Sequence, residues 1–295
     1  MAIVEAAGTT FGYEEHGEGD DVVIFMHGYL GTKDIWSVVA KSLHGYRRIC
    51  LDARGVGQSG RPADGYTVDG WAADIEAVAD ALGVGSFRYV GHSMGSLAGY
   101  RLALTRPDRV RQLVVVCPAP AGPPRAGRDA FARFRQAWAA NDGSAMASLL
   151  ASTSVQLPDS ALTTRRGEAA TTASEGHVDS LLDAVVTLEL RPELPALSTP
   201  TLLMVGAADP ALRTCLSDFQ MLPAATIEVL SGVGHVPQLE APGRVTDVLQ
   251  RFFADGVIDF ATLMERMSAN QSAMNRSQAH HVNRAASRSA GPSRT

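Results

Sequence analysis

Cysteine is scarce in this chain of 295 residues, which contains only Cys50, Cys117 and Cys215. An odd number of cysteines at wide spacing forms neither a disulfide framework nor a metal-ligand motif, so no metal is expected. An uninterrupted apolar run of about 18 residues, the length that spans a bilayer, is absent from the sequence as well. The first residues lack the basic and long apolar segments of a secretion signal, which favours a cytoplasmic protein without a membrane partner.

An excess of basic residues is also missing, because 26 lysines and arginines face 31 aspartates and glutamates. The net charge of −5 argues against nucleic acid as a partner, since nucleic-acid-binding domains present a strongly basic surface. Hydrophobic residues make up 45% of the chain and charged residues 19%, which is ordinary for a globular protein. The length fits one large domain, or one domain that contains an insertion.

Large apolar residues are almost missing from residues 268–295, which hold four arginines and no acidic residue. The segment therefore has a net charge of +4, and the rest of the chain has −9, which together make −5. Such a composition buries too little apolar surface to fold, and we predict a disordered basic tail. The adjacent His280 and His281 are interpreted as incidental rather than as metal ligands.

Short apolar runs alternate with helical patterns along most of the chain. A β-hairpin is predicted within residues 2–16, and buried strands are predicted at residues 22–26, 47–51, 86–90, 111–117, 201–205 and 226–230. A proline-rich break interrupts the alternation and is followed by several helices without a strand. The pattern predicts an α/β core with a mostly parallel sheet, formed by residues 1–117 and 199–260, and a helical insertion at residues 118–198.

One predicted strand is followed directly by Gly91-His92-Ser93-Met94-Gly95 and then by a helical pattern. The two glycines let the backbone turn sharply between strand and helix, because they have no Cβ. The hydroxyl of Ser93 is then expected at a helix N-terminus, where free N–H groups stabilise negative charge. A G-x-S-x-G motif also arises by chance, so the interpretation as a nucleophile needs partner residues elsewhere in the chain.

A serine hydroxyl at neutral pH needs a base within hydrogen-bond reach, and the base needs a group that orients it. Asp209 and His235 each follow one of the last two predicted strands. Because ligands bind at the carboxyl ends of the strands in such sheets, we expect these side chains and Ser93 to meet at that edge. We predict a catalytic triad in which Asp209 orients His235 and His235 takes the proton of Ser93.

The oxyanion of a tetrahedral intermediate needs two hydrogen-bond donors. The first predicted donor is the backbone N–H of Met94, directly after the serine. The second is the backbone N–H of Tyr29, which follows the strand at residues 22–26. The side chains of His27 and His92 are interpreted as structural.

Three further motifs accompany these features: D-A-R-G-V-G-Q-S at residues 52–59, P-T-L-L-M-V-G-A-A-D at 200–209 and G-H-V-P-Q-L-E-A-P at 234–242. Together the motifs resemble the α/β-hydrolase superfamily over nearly all of residues 8–253. The resemblance implies an eight-stranded, mostly parallel sheet, a helical cap inserted after the sixth strand, and the predicted triad. It also implies that Asp52 and Arg54 brace a loop, and Glu240 is interpreted as a helix-start or salt-bridge residue.

A substrate pocket is expected between the cap and the sheet. Its predicted lining residues are Tyr29, Phe131, Phe134, Trp138, Arg191 and Val236. The three aromatic residues of the cap share one helical face, and they fit the core of the cap at least as well as they fit a substrate contact. The composition of this stretch favours a small, largely apolar substrate.

A serine nucleophile with an oxyanion hole suits acyl transfer. It argues against the dehalogenases and epoxide hydrolases of the superfamily, which use aspartate at this position. We predict a hydrolase that cleaves a carboxylic ester or lactone of a small molecule without cofactor or metal. The sequence leaves the oligomeric state open, including a homodimer.

Two alternatives remain at this point. The first is hydrolysis of a C–C bond in vinylogous diketones. Arg191 favours this reaction because it lies near the place of a cap arginine in such enzymes, whereas Val236 disfavours it because an aromatic residue often follows the base in C–C bond hydrolases. An enol-lactonase fits the sequence equally well. The other alternative is a small-molecule receptor that retains the triad, because fold and triad do not determine function.

Overall fold

The computed structural model describes residues 2–123, 129–156, 159–258, 260, 262–268, 270 and 271, with residues 129, 130 and 181–186 described in the backbone alone. The chain divides into two units, residues 1–256 and 257–295. The predicted end of the core at residue 260 thus lies inside the second unit. Within that unit residues 260, 262–268, 270 and 271 are helical, including three positions of the predicted disordered tail. The rest of that tail lies outside the described residues.

The first unit contains one sheet of eight strands among its described residues. The strands are β1 (Ala2–Ala6), β2 (Thr9–His16), β3 (Val22–Met26), β4 (Arg47–Leu51), β5 (Phe87–His92), β6 (Val110–Val116), β7 (Thr201–Gly206) and β8 (Ala225–Leu230). Their order in the sheet is β1-β2-β4-β3-β5-β6-β7-β8. β2 pairs antiparallel with β1 and β4, whereas the strands from β3 to β8 pair in parallel. The predicted eight-stranded, mostly parallel sheet is therefore confirmed.

The central strands are continuous apolar runs because helices cover both faces of the sheet. β3 and β7 are buried along their whole length, and β6 is buried over its last four residues. β1, at one edge of the sheet, has no fully buried residue. The loops that follow β5, β7 and β8 carry Ser93, Asp209 and His235, so the candidate site lies beyond the ends of these strands.

Ten α-helices occur in the described part of the first unit. They are α1 (Ser37–Ser42), α2 (Val68–Ala81), α3 (Met94–Thr105), α4 (Asp129–Ala139), α5 (Gly143–Ala151), α6 (Ser160–Thr171), α7 (Glu175–Thr187), α8 (Leu212–Phe219), α9 (Pro237–Glu240) and α10 (Pro242–Asp255). Helices α4 to α7 lie between β6 and β7, as the sequence predicted, whereas the short helix α9 was not predicted. None of the described helices combines the length and the apolar character that crossing a bilayer requires.

Two helices of this insertion begin at aspartate N-caps. The Asp142 carboxylate accepts a hydrogen bond from the Ala145 amide at the start of α5, and the Asp159 carboxylate accepts one from the Ala161 amide at the start of α6. Each carboxylate satisfies an N–H that has no intrahelical acceptor and lies near the positive end of the helix dipole. Local sequence signals of this kind therefore define where the insertion helices begin.

Helix α3 packs so closely against the sheet that Gly99 leaves no room for a side chain. A Cβ at this position would lie 2.7 Å from Cε1 of Tyr89 and 2.9 Å from Cδ1 of Leu113. Both neighbours are fully buried. Gly243, in α10, is exposed and would have no heavy atom within 4 Å of an added Cβ. The two glycines therefore differ in packing although both are helical.

We predict that Gly99→Ala lowers the free energy of unfolding by about 1–3 kcal/mol, because the methyl group overpacks the interface between α3 and the sheet. The matched change Gly243→Ala is expected to leave that free energy unchanged or to raise it by up to about 1 kcal/mol, since alanine is the better helix former. Urea denaturation followed by circular dichroism measures both values. Equal stability of the two variants would contradict the close packing described at Gly99.

Candidate active site

Ser93 lies on a strained turn between β5 and α3. Its backbone has φ 52° and ψ −112°, a region that residues other than glycine seldom adopt. The turn is tight on both sides: a Cβ at Gly91 would collide with the carbonyl oxygen of Gly95, and a Cβ at Gly95 would lie 2.7 Å from the carbonyl oxygen of His27. The two glycines of the G-x-S-x-G motif are therefore required by space as well as by conformation.

The structure brings Ser93, His235 and Asp209 together. The Ser93 Oγ lies 3.2 Å from Nε2 of His235, and Nδ1 of His235 lies 3.0 Å from Oδ2 of Asp209. Asp209 follows β7 and His235 follows β8. Because these neighbouring strands are parallel, both residues lie at the same edge of the sheet although they are far from Ser93 in sequence. The arrangement places a hydroxyl, an imidazole and a carboxylate in one hydrogen-bonded series.

The carboxylate of Asp209 is buried but well supplied with donors. Burial by itself raises the pKa of Asp209, but the hydrogen bonds from His235, from the Ala211 amide and from the Cys117 thiol outweigh it and hold that pKa below its ordinary value. The Ala211 amide lies 2.8 Å from Oδ1. Asp209 is therefore ionised at neutral pH and suited to orient an imidazole.

The loop that presents His235 is held by the buried carboxylate of Glu240. Oε2 accepts the amide N–H of Gly234 at 3.0 Å, and Oε1 accepts that of Val236 at 3.1 Å. Oε2 also accepts the amides of Val155 and Gln156, at 2.8 and 3.1 Å, from the insertion. Glu240 was predicted to form a salt bridge or to start a helix, but no cation lies within ion-pair distance among the described residues. Its role is to accept four backbone hydrogen bonds.

The backbone of His235 itself has two further partners. Its N–H donates to the carbonyl oxygen of Thr153 at 2.9 Å, and its carbonyl oxygen accepts a hydrogen bond from Nε2 of His92 at 2.8 Å. Burial chiefly lowers the pKa of His92, to about 3, so this ring stays neutral. The backbone of His235 is thus held by the insertion on one side and by the strand that leads to Ser93 on the other.

The predicted oxyanion donors lie on two segments that touch each other. The N–H of Met94 is at the first position of α3, where helical N–H groups have no intrahelical acceptor. The N–H of Tyr29 has no acceptor among the described residues. Between them, a Cβ at Gly28 would lie only 2.8 Å from Cβ of Ser93 and from Nδ1 of His92. The backbone of residues 27–29 therefore runs directly against the turn that carries Ser93.

Asp52 and Arg54 brace the neighbouring loop. The Asp52 carboxylate accepts hydrogen bonds from the amide and from Nζ of Lys33, at 2.8 and 2.7 Å, and from the amide of Gln58 at 3.0 Å. Arg54 forms a buried ion pair with Asp74. These contacts tie the loop after β4 to the segment after β3 and to α2, as the structural interpretation expected.

Tyr29 connects the segment after β3 to the insertion. Its ring stacks on that of His177, with centroids 6.0 Å apart, and meets the rings of Phe131 and Phe134 edge-on at 6.2 and 6.0 Å. Its hydroxyl donates to the carbonyl oxygen of Val178 at 2.9 Å. Tyr29, Phe131 and Phe134 therefore form one partly buried aromatic cluster beside the candidate site.

The remaining predicted pocket residues have partners of their own. Trp138 donates from Nε1 to the carbonyl oxygen of Ala173 at 2.9 Å, within the insertion. Arg191 donates from Nε to the buried carboxylate of Asp218 at 2.9 Å. The Val236 side chain is buried. These contacts give Trp138 and Arg191 structural partners that sequence spacing did not reveal.

One group of side chains in the described part of the chain has metal-ligand character. The donor atoms of Cys117, Asp209 and His235 all lie within 4.8 Å of one another. These atoms are hydrogen-bonded to one another, because the Asp209 carboxylate accepts hydrogen bonds from the Cys117 thiol and from the His235 imidazole. Burial also raises the pKa of Cys117 well above its ordinary value, so the thiol keeps its proton. The group is accounted for by the support of Asp209.

Comparisons with known proteins were made against families, curated sequences and solved structures. A family model described as the alpha/beta hydrolase fold matches residues 21–242. The non-heme chloroperoxidase of Streptomyces lividans is 34% identical over 151 residues, which cover 47% of this chain and only about half, 54%, of that relative. The 3-oxoadipate enol-lactonase 2 of Acinetobacter baylyi is 29% identical over 81% of this chain and 93% of the lactonase.

The chain is also similar to a receptor in sequence and to an esterase in structure. The Karrikin insensitive 2 receptor CA of Petunia hybrida is 27% identical over 80% of this chain and 92% of the receptor. Among solved structures, an esterase from Exiguobacterium antarcticum superposes with a TM-score of 0.78 at 23% identity, covering 85% of this chain and 98% of the esterase. At that identity the esterase supports the fold alone.

We predict that Glu240→Gln lowers the free energy of unfolding by about 1.5–3 kcal/mol, the usual contribution of hydrogen bonds to a charged group. The glutamine side chain has an NH2 group in place of one carboxylate oxygen. This group cannot accept a hydrogen bond, so some of the backbone N–H donors would lose their acceptor. Glu228→Gln is the matched control, because its carboxylate lies at the surface, 4.0 Å from Arg251. Chemical denaturation compares the two variants with the wild type. Similar stability of both variants would refute the role assigned to the Glu240 carboxylate.

A second prediction concerns acid stability and the buried His177. Burial chiefly lowers the pKa of His177 to about 3, from 6.5 in the unfolded chain. Between these values the unfolded state binds a proton that the folded state does not, so stability falls as the pH falls. His177→Asn should reduce that slope by up to about 1.4 kcal/mol per pH unit.

The measurement is the free energy of unfolding across that pH range. His44→Asn, at an exposed position, serves as the control and should leave the slope as it is in the wild type. A slope unchanged by His177→Asn would show that this histidine is not buried in its neutral form.

Proposed function

Because the chain belongs to the alpha/beta hydrolase family, we propose that it is a serine hydrolase that cleaves a carboxylic ester or a lactone through an acyl-enzyme. Ser93 is the nucleophile, His235 the general base and Asp209 the residue that orients the imidazole. The observation that carries the proposal is the hydrogen-bonded series of these three side chains, with contacts of 3.2 and 3.0 Å. The strained backbone of the serine adds support, since such strain clusters at functional sites.

In the proposed mechanism the Oγ of Ser93 attacks the carbonyl carbon while Nε2 of His235 takes the hydroxyl proton. The resulting oxyanion is held by the N–H groups of Met94 and Tyr29. Collapse of the intermediate breaks the bond to the leaving oxygen, which receives the proton from His235. Water then attacks the acyl-enzyme with His235 as base again, releasing the acid and restoring Ser93. Every proton moves through His235, so no cofactor is required by these steps.

The insertion is proposed to act as the cap over this site. Its aromatic residues Phe131 and Phe134 pack on Tyr29, whose N–H is the proposed oxyanion donor. The cluster favours an apolar acyl or alcohol portion next to the reacting carbonyl. Arg191, the residue that favoured C–C bond hydrolysis, is engaged by Asp218, which removes that argument for the alternative reaction.

A receptor that retains the triad is the second candidate, and one observation favours it. The similarity to the Petunia receptor extends over 80% of this chain. A receptor and an enzyme differ in turnover, because an enzyme cycles many times whereas a receptor stalls after about one acylation. The two candidates are therefore separable by the same experiment that tests the nucleophile.

We predict that the protein turns over p-nitrophenyl esters and that Ser93→Ala lowers kcat more than about a thousandfold, because the acyl-enzyme is lost. Ser217→Ala, a surface position in α8, is the control and should retain wild-type turnover. A fluorophosphonate probe followed by intact mass should add one adduct to the wild type and to Ser217→Ala, and none to Ser93→Ala.

The outcomes separate the candidates. Many turnovers with a single adduct support the serine hydrolase. One adduct without repeated turnover favours the receptor. Neither turnover nor an adduct would refute the proposed role of Ser93.

A further inference from the structure

His92 is the last residue of β5 and directly precedes Ser93. Its Nε2 lies 2.8 Å from the carbonyl oxygen of His235, and the rings of the two histidines have centroids 5.0 Å apart. On another side, a Cβ built at Gly28 would lie 2.8 Å from Nδ1 and 3.2 Å from Cε1 of His92. Gly28 directly precedes Tyr29, the proposed oxyanion donor. The ring of His92 therefore lies between the loop that carries the base and the segment that carries an oxyanion donor.

The hydrogen bond to His235 determines the tautomer of His92. A carbonyl oxygen can only accept, so the hydrogen is on Nε2 of His92. Nδ1 is buried and has no hydrogen-bond partner among the described residues, and burial chiefly lowers the pKa of His92, to about 3. The ring is therefore neutral, with its proton on Nε2 and a lone pair on Nδ1. Because Nε2 is engaged and Nδ1 is buried, His92 does not serve as the base although it is the neighbour of Ser93.

The backbone of His235 needs partners from elsewhere in the chain, because it lies in a loop outside the helices and strands. Its N–H donates to the carbonyl oxygen of Thr153. Among the described residues, His92 is the side chain that hydrogen-bonds to the backbone of His235 itself. The imidazole of His235 lies 3.2 Å from Oγ of Ser93, and misplacing a catalytic group by about 1 Å can lower a rate about a hundredfold. The hydrogen bond from His92 therefore bears on the reach of the base to the nucleophile.

We propose that His92 is a positioning residue for the hydrolysis: its hydrogen bond to the backbone of His235 holds the base at its distance from Ser93, and its ring keeps residues 28 and 29 against the same turn. The inference rests on the proposed function and gives His92 a role in the rate, whereas the sequence indicated only a structural residue. His92 is 5% exposed and acts through other residues. Its loss should therefore lower kcat rather than raise KM.

The test changes the reach of the donor at this position and measures the turnover of p-nitrophenyl esters. His92→Leu removes the donor, and His92→Asn has an amide that is too short to reach the carbonyl oxygen of His235. Both should lower kcat more than about tenfold, with KM within about twofold of the wild type. His92→Gln carries an N–H donor at about the distance of Nε2 and should retain kcat within about threefold. The rate at which a fluorophosphonate labels Ser93 should follow the same order, since labelling needs the base but no ester substrate.

Val90→Ala is the matched control for a general loss of stability. Val90 is fully buried in β5, two residues before His92, so the truncation leaves a cavity beside the same strand. It should lower the midpoint of urea denaturation and leave kcat within about twofold. Three results would each contradict the role of His92: equal kcat in His92→Leu and the wild type, equal losses in His92→Asn and His92→Gln, or a loss in Val90→Ala as large as that in His92→Leu.

Failure of the inference is distinguishable from failure of the proposed function. Turnover of the wild type with any of the three contradictory results overturns the positioning role and leaves the hydrolase standing. Labelling without turnover favours the receptor, and the labelling rates of the variants then decide the inference.

Absence of both turnover and labelling in the wild type overturns the hydrolase, and proton NMR then decides the inference. The proton between Nδ1 of His235 and the carboxylate of Asp209 is expected to be strongly deshielded, and its resonance is identified by its absence in His235→Gln. Presence of this resonance in the wild type and in His92→Gln, together with its loss in His92→Leu, supports the role of His92. Any other pattern overturns it.

Discussion

The left-handed backbone of Ser93 is the constraint on which the rest of the site depends. A φ of 52° at a residue with a side chain costs of order 1–3 kcal/mol, and it persists only where the surroundings determine it fully. The N–H of Ser93 donates to the carbonyl oxygen of Val116 at the end of β6, the neighbouring strand. The carbonyl oxygen of Ser93 accepts a hydrogen bond from the amide of Ala119 at 3.2 Å. The glycines on either side, Gly91 and Gly95, are the residues that fit beside this turn. The parallel register of β5 and β6 is thus part of what holds the serine in place.

The imidazole of His235 is supported differently, by contacts that converge from separate parts of the chain. His235 lies in a loop without regular structure of its own, so its position depends on the partners of the surrounding backbone. Glu240 holds the amides on both sides of the histidine, and the same carboxylate binds the insertion. Thr153 accepts the N–H of His235. The geometry of the site therefore depends on the insertion as well as on the sheet. A displacement of residues 153–156 would also move the loop that carries the His235 imidazole.

The sequence predicted what depends on local patterns. Apolar runs identified the strands, and a side chain directly after a strand in a parallel sheet lies at a known edge, which is why the structure brings Ser93, Asp209 and His235 together. Contacts between distant segments leave no such pattern. Glu240 lies five positions after the histidine and offers no sign that its partners are four backbone amides, two of them from the insertion. Arg191 illustrates the converse, since its place in the sequence indicated a substrate contact while its partner, Asp218, is known only from the fold.

The buried charged groups in and around the site are each supplied with partners by the fold. On the side of the sheet, the buried carboxylate of Asp209 has three kinds of donor, which hold its pKa low. The Arg54–Asp74 pair is likewise buried as a complete unit. On the side of the insertion, the buried carboxylate of Glu240 has four backbone amides as donors. A buried charge without partners of this kind would be strongly destabilising. The fold thus supplies partners to the charged groups around Ser93, Asp209 and His235 from the sheet and from the insertion, so the geometry of the site depends on both.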